Sequence, residues 1–182
     1  MGRSRAVRGA AGGSAAERDR MAKQYRVSGF TRLINAVMRA LLRAGVPVGP
    51  FEILTVRGRT SGRPIETPLA VFFYDGNRYL IAAYGVVNWV HNLRAAGGKG
   101  TLRRGRRTEE IAAVELPPAQ AAPILRVSVR SGPPGLWRPG VRAFRRFVVF
   151  PLLGVGMDSS VQEYERVATT HPVFQVRQRA VI

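Results

Sequence analysis

The residues best suited to chemistry lie together in Arg57-Gly58-Arg59-Thr60-Ser61-Gly62-Arg63, between two strand-like runs. The guanidiniums of Arg57, Arg59 and Arg63 give forked, charge-assisted hydrogen bonds to phosphate or carboxylate oxygens, while Gly58 and Gly62 let the backbone turn tightly and present N–H groups. Such a loop holds an anion. The same residues also suit a plain arginine-decorated hairpin, since exposed loops are usually solvated, and the loop alone leaves both readings open. It is not a nucleotide P-loop, because the Gly-x4-Gly-Lys-Ser/Thr spacing is absent and a strand rather than a helix follows. No Gly-x-Gly-x-x-Gly follows a strand, and Ser61 stands in Arg-Thr-Ser-Gly-Arg rather than Gly-x-Ser-x-Gly, which disfavours Rossmann-type nicotinamide binding and serine hydrolysis. With no cysteine, and with His91 and His171 eighty residues apart, no metal site is expected. Glu109 and Glu110 are neighbours on a strand and point to opposite faces, so they form no acid–base pair. Chemistry carried by a bound cofactor is the remaining enzymatic route.

The whole chain favours an anionic partner. Its 182 residues hold 29 Lys+Arg against 11 Asp+Glu, a formal charge of +18, which suits nucleic acid, acidic lipid or a small polyanion. An apolar content of 46% is enough for a real core in one domain, expected over residues 25–182. Residues 1–24, rich in Arg, Gly, Ala and Ser without hydrophobic period, are expected to be a disordered basic extension. No run reaches the roughly 18 to 20 apolar residues of a spanning helix. The basic amino terminus lacks an apolar stretch followed by a cleavage site, so the expected location is cytoplasmic, with the inner membrane face as an option.

The elements that must position the loop follow from periodicity. Phe30, Leu33, Ile34, Val37, Met38, Leu41 and Leu42 form an apolar helical face opposed by Arg32, Arg39 and Arg43, with Gly45 as the stop. That face docks on the core, or touches a membrane or a lipophilic substrate. Strands are predicted over Glu52–Val56, Pro64–Tyr74 and Arg78–Tyr84, the last two joined by a turn at Asp75-Gly76-Asn77. A short helix follows over Asn88–Ala96, with Asn88 as N-cap, Trp89, Leu93 and Val90 inward, and Gly97-Gly98 as its end. A second hairpin joins Gly100–Arg103 to Thr108–Leu116, and Pro117-Pro118 opens a helix of about ten residues from Ala119. Residues 131–140 read as loop and 141–153 as a second basic, apolar segment. Ser160 caps a last helix to about Ala168, and Val173–Val176 closes the sheet. The order predicts an α+β fold, a closed or nearly closed antiparallel barrel with peripheral helices.

The succession Leu54-Thr55-Val56-Arg57-Gly58-Arg59-Thr60-Ser61-Gly62-Arg63-Pro64, then Thr67-Pro68-Leu69, Asp75-Gly76, Tyr79 to Ala83 and Trp89-Val90-His91-Asn92-Leu93-Arg94-Ala95, resembles the deazaflavin-dependent nitroreductase family. The similarity runs from about Phe51 to Leu116, and His171-Pro172-Val173-Phe174 extends it. The resemblance implies a split β-barrel and coenzyme F(420), an 8-hydroxy-5-deazaflavin with a phosphate and a poly-γ-glutamate tail. It implies that Arg57, Gly58, Arg59, Ser61, Gly62 and Arg63 hold the phosphate and tail, and that Thr67 and Pro68 line the ring. Ala83, Tyr84, Gly85, Val86 and Val87 would pack on the ring edge, with Trp89 and Asn92 below it. For Trp89 core packing, and for Asn92 a polar clasp to backbone, are the structural alternatives. The chain departs from many relatives at Thr60, Ile65 and Glu66, where they carry basic residues, which bears on tail affinity.

The resemblance further implies hydride transfer to a quinone, nitroaromatic or activated enone, with Tyr84 or Tyr164 stabilising the charge that develops on the acceptor. Two other readings stand beside it. FMN in the same barrel would use the same arginines for its phosphate. A non-catalytic basic protein would bind nucleic acid or membrane, but Phe72, Phe73, Tyr74 and Tyr79 carry no RNA-binding signature, which disfavours nucleic acid. The expected partner is a small lipophilic acceptor, with peripheral membrane contact through the amphipathic helix.

Overall fold

The computed structural model describes residues 29–46, 48–131 and 153–178. The expected extension over residues 1–24, the loop expected at 131–140 except Ser131, which is helical, and nearly all of the basic segment at 141–153 lie outside the described residues. Helix α1 spans Gly29–Arg43, β1 Phe51–Arg57, β2 Pro64–Tyr74, β3 Asn77–Ile81 and α2 Asn88–Ala95. Then come β4 (Lys99–Arg104), β5 (Arg107–Glu115), α3 (Pro118–Ser131), α4 (Val161–Thr170) and β6 (Val173–Gln178).

The six strands close an antiparallel barrel, as the sequence predicts, and their order is β1-β2-β3-β6-β5-β4. Alternation decides what fills it. Leu54 and Val56 of β1, Leu69 and Val71 of β2, Leu80 of β3, Leu102 of β4, Ile111 and Ala113 of β5 and Phe174 and Val176 of β6 form one buried cluster. Trp89, Val90 and Leu93 of α2 join this cluster, so α2 stoppers one end of the barrel. A second core forms where α3 and α4 pack on each other beside Tyr79 and Val173, residues of alternate parity to the interior set.

Local chemistry explains the joints. Asp75 and Gly76 both have positive φ, 48° and 68°, giving the two-residue turn that pairs Tyr74 with Asn77. At Gly98, a Cβ would lie 2.1 Å from the Ala113 carbonyl oxygen, so only glycine lets the chain leave α2 and enter β4 there. Helix α1 ends in a Schellman pattern, with Val46 N–H donating to the Leu41 carbonyl and Gly45 N–H to that of Leu42. Arg103 Nη2 donates to the Arg43 carbonyl at 2.7 Å, holding that helix end against the β4–β5 hairpin. In α4, Ser160 and Glu163 complete a reciprocal capping box.

Three local expectations are corrected. Helix α2 is capped by Val87 in extended geometry, φ −103° and ψ 176°, so Asn88 is the first helical residue and not the N-cap. Strand β3 ends at Ile81, because Gly85 N–H donates to the Ala82 carbonyl and turns the chain through Ala83 and Tyr84. Helix α3 runs 14 residues, with Pro118 at its start and Pro123 exposed inside it. Among the described residues, no helix is long and apolar enough to cross a membrane.

Candidate active site

Strand β1 delivers Arg57 to the barrel end that α2 covers. There the chain reverses: Gly58 N–H donates to the Arg63 carbonyl and Gly62 N–H to the Gly58 carbonyl, both at 2.8 Å. Ser61 Oγ accepts from Arg63 N–H at 3.3 Å. A Cβ on Gly58 would lie 2.7 Å from both Ile65 Cδ1 and Ser61 Oγ, so those side chains would have to shift, and Gly62 sits at φ 66°, a conformation that favours glycine.

The three arginines have different tasks. Asn92 Oδ1 accepts from Arg59 N–H at 3.2 Å and from Arg59 Nη1 at 3.0 Å, and Asn92 is only 3% exposed. This clasp fixes the loop to α2. The Arg57 guanidinium lies over Gly62, where an added Cβ would be 3.6 Å from its Nη2. Among the described residues, no carboxylate lies within ion-pair distance of the Arg57 or Arg63 guanidinium, and both residues are exposed. Glu66, the nearest acid along the chain, is held by Arg43 Nη2 at 2.6 Å on the α1 side. The loop therefore carries two guanidiniums open to an anion and one that braces the backbone.

The β3–α2 connection reaches the same end of the barrel. Tyr84 is 53% and Val86 39% exposed, while Ala83, Gly85 and Val87 are half-buried and Val87 packs on the barrel core. Strand parity separates Thr67 from Pro68: Thr67 pairs with Leu54 and shares its inward face, whereas Pro68 pairs with Ile53 on the outside. Their side chains thus line opposite surfaces of β2. Trp89 is 9% exposed and meets Phe174 with ring centroids 5.7 Å apart, which is core packing.

Tyr164 is placed differently from its expected role. It is 0% exposed, its hydroxyl donates to the Gly156 carbonyl at 2.7 Å, and burial raises the phenol against the opposing pull of Arg130 and Arg126. A phenol so enclosed packs α4 and does not reach an acceptor, so Tyr84 alone of the two tyrosines is presented to solvent. His171 ends α4, with Nδ1 2.9 Å from Thr170 Oγ1. Among the described residues, no group of three His, Cys, Asp or Glu could hold a metal. Sequence reasoning left out Glu52, which is 4% exposed at the other end of the barrel, although its spacing from Leu54 and Val56 carried the signal.

A family model for F(420)H(2)-dependent quinone reductases matches residues 32–137. No curated protein matches the chain. Among solved structures, one described as a domain-swapped dimer shares 17% identity over 82% of this chain and 100% of its own, with a TM-score of 0.46. A structure of an F(420)-H(2) dependent reductase shares 18% identity over 70% of this chain and 94% of its own, TM-score 0.37. A protein of unknown function from Agrobacterium tumefaciens shares 13% identity over 85% of this chain and 56% of its own, TM-score 0.43.

Proposed function

The chain belongs to the F(420)H(2)-dependent quinone reductase family, and from that premise we propose that it passes a hydride from reduced coenzyme F(420) to a lipophilic quinone. An oxidoreductase that uses this deazaflavin follows from the family; the acceptor is our reading, with nitroaromatics and activated enones as further candidates of the same electrophilic class. The observation that carries it is the pair Arg57 and Arg63, two exposed guanidiniums beside a glycine turn, in a chain whose formal charge is +18. The coenzyme carries a phosphate and several carboxylates, which match this donor set in charge and in forked geometry.

The residues present fit the group. Arg57 and Arg63 would hold its phosphate and first carboxylates, with Gly62 leaving the approach open, and Arg59 would act through its backbone clasp on Asn92. When bound and reduced, the coenzyme supplies a hydride from its C5 atom. The protein's share is placement and exclusion of water, and it needs no strong acid or base. Pro68, on the outer face of β2, and the exposed Val86 supply apolar surface at that end, and Tyr84 offers a phenol that donates to an acceptor oxygen as charge develops there.

The test is steady-state oxidation of the reduced coenzyme with a short-chain naphthoquinone, beside a nitroaromatic of similar size. Turnover with the quinone, reduced at least tenfold in Tyr84→Phe with coenzyme binding retained, is the expected result. Coenzyme binding without turnover on any quinone would overturn the acceptor assignment and leave the family intact.

A further inference from the structure

The barrel end opposite α2 holds a constellation that hydride transfer does not use. Glu52, Phe73, Arg78, Leu102, Arg104 and Glu109 line a cavity of about 340 Å³, with Arg107 also on its wall, near the lower bound of about 300 Å³ for ligand pockets. Parity builds it: Glu52 shares the inward face of Leu54 and Val56, and Glu109 that of Ile111 and Ala113. Glu109 is ion-paired with Arg78 across the wall. Glu52 is not so provided for. Its side chain is 5% exposed, and its nearest cation is Arg104 Nη1 at 4.0 Å, beyond hydrogen-bond distance. Burial raises Glu52, opposed by Arg104 and Arg78 and reinforced by Glu109.

An apolar side chain at 52 would extend the row of Leu54 and Val56 and seal the barrel. A carboxyl there is largely withdrawn from water and costs stability relative to an apolar side chain in the same row. Around it, two carboxylates face three guanidiniums, so a single negative charge completes the balance and a dianionic phosphate overshoots it. Leu102 gives an apolar floor and Phe73, 49% exposed, an aromatic wall.

We propose that this barrel end is a second small-molecule site, distinct from the arginine loop, that takes a small hydroxycarboxylate. Its hydroxyl donates to Glu52, its carboxylate is received by Arg104 and Arg107, and its apolar body lies between Leu102 and Phe73. The site does not depend on the coenzyme reading, because nothing in it touches residues 57–63.

The experiment uses the full chain, isotopically labelled, with 4-hydroxybenzoate as probe and benzoate, phenol and inorganic phosphate as comparisons. We expect 4-hydroxybenzoate to shift the amides of Glu52, Arg104 and Gly105 saturably while those of Gly58 and Gly62 stay in place. Benzoate and phenol should each bind at least tenfold more weakly, and Glu52→Leu, which seals the pocket, should abolish the effect with the fold retained. Glu52→Gln serves as the second variant should the leucine fail to fold, and should weaken binding several-fold. Equal binding by wild type and either variant, shifts at Gly58 and Gly62 instead, tighter binding of phosphate, or no saturable shift with 4-hydroxybenzoate would each overturn the proposal.

Discussion

At the scale of single residues, the three loop arginines separate into two with exposed guanidiniums and one that braces the loop. Truncating Arg57 or Arg63 to alanine is therefore expected to weaken coenzyme binding by about 1.5 to 3 kcal/mol per residue, with the melting temperature nearly unchanged. Titration beside thermal melts checks this. Arg106→Ala is the control, sharing the charge but not the loop, and its effect should vanish at high salt. Arg103 cannot serve, because it holds the α1 carbonyl end. Asn92→Leu should differ in kind: it removes the one acceptor shared by two Arg59 donors and should cost about 1 to 3 kcal/mol of stability as well as binding. Glu52 gives a pH signature. Its folded carboxyl holds a proton more tightly than the unfolded one, so from the ordinary value of 4.5 upward the native state binds more protons and stability falls as pH rises through that window. Glu52→Gln should remove this decline, matching wild type in acid and melting higher at neutral pH; a variant that melts lower at neutral pH would contradict the burial argument. The arginine loop was legible in the sequence because two glycines and three arginines in seven residues have few other uses. Glu52 was not singled out, because a lone carboxylate at the start of a strand ordinarily faces solvent, and Tyr164 drew attention as a chemical group when its position on α4 made it packing.

At the scale of elements, the apolar face of α1 is divided between core and solvent. Leu42 is 2% exposed and packed, whereas Val37 and Leu41 are 51% and 40% exposed, with Val46 at 45% just beyond the helix. Amphipathic spacing predicted the helix but not which part of the stripe would be covered, since that depends on where the helix crosses β1 and β2. The exposed part lies beside Arg39, and we propose that it meets anionic lipid, each nearby cation adding roughly 1 kcal/mol at low ionic strength. Co-sedimentation should be stronger with acidic than with neutral vesicles and should fall with salt; equal recovery from both would leave only the packing role. Helix α4 shows the reverse case, where sequence was sufficient: Ser160 with Glu163 three residues on is a local signal, and local contacts realise it. Ser160→Ala is expected to cost about 1 kcal/mol, some 2 to 4 °C in melting temperature for a chain of this size. The Glu163 carboxyl is lowered by the Ser160 backbone N–H, so its support is present above the ordinary carboxylate value and lost as pH falls below it.

At the scale of the molecule, the barrel has two ends with different chemistry. One is stoppered by α2 and ringed by the arginine loop and Tyr84; the other opens on Glu52 and the Arg78–Glu109 pair. Barrel closure was legible because turn residues and alternating strands are local properties, whereas the partner of the last strand, β3 across some ninety residues, was not, because no local signal specifies it. Recognition of the deazaflavin coenzyme by the α2 end, as proposed, is tested by titrating the full chain with oxidised coenzyme F(420) and following the quenching of its fluorescence, with FMN run in parallel. Saturable binding in the micromolar range or tighter, about −8 kcal/mol, is expected, weakened in Arg63→Ala and retained in Glu52→Gln. Saturable binding of FMN with none of the deazaflavin would contradict it.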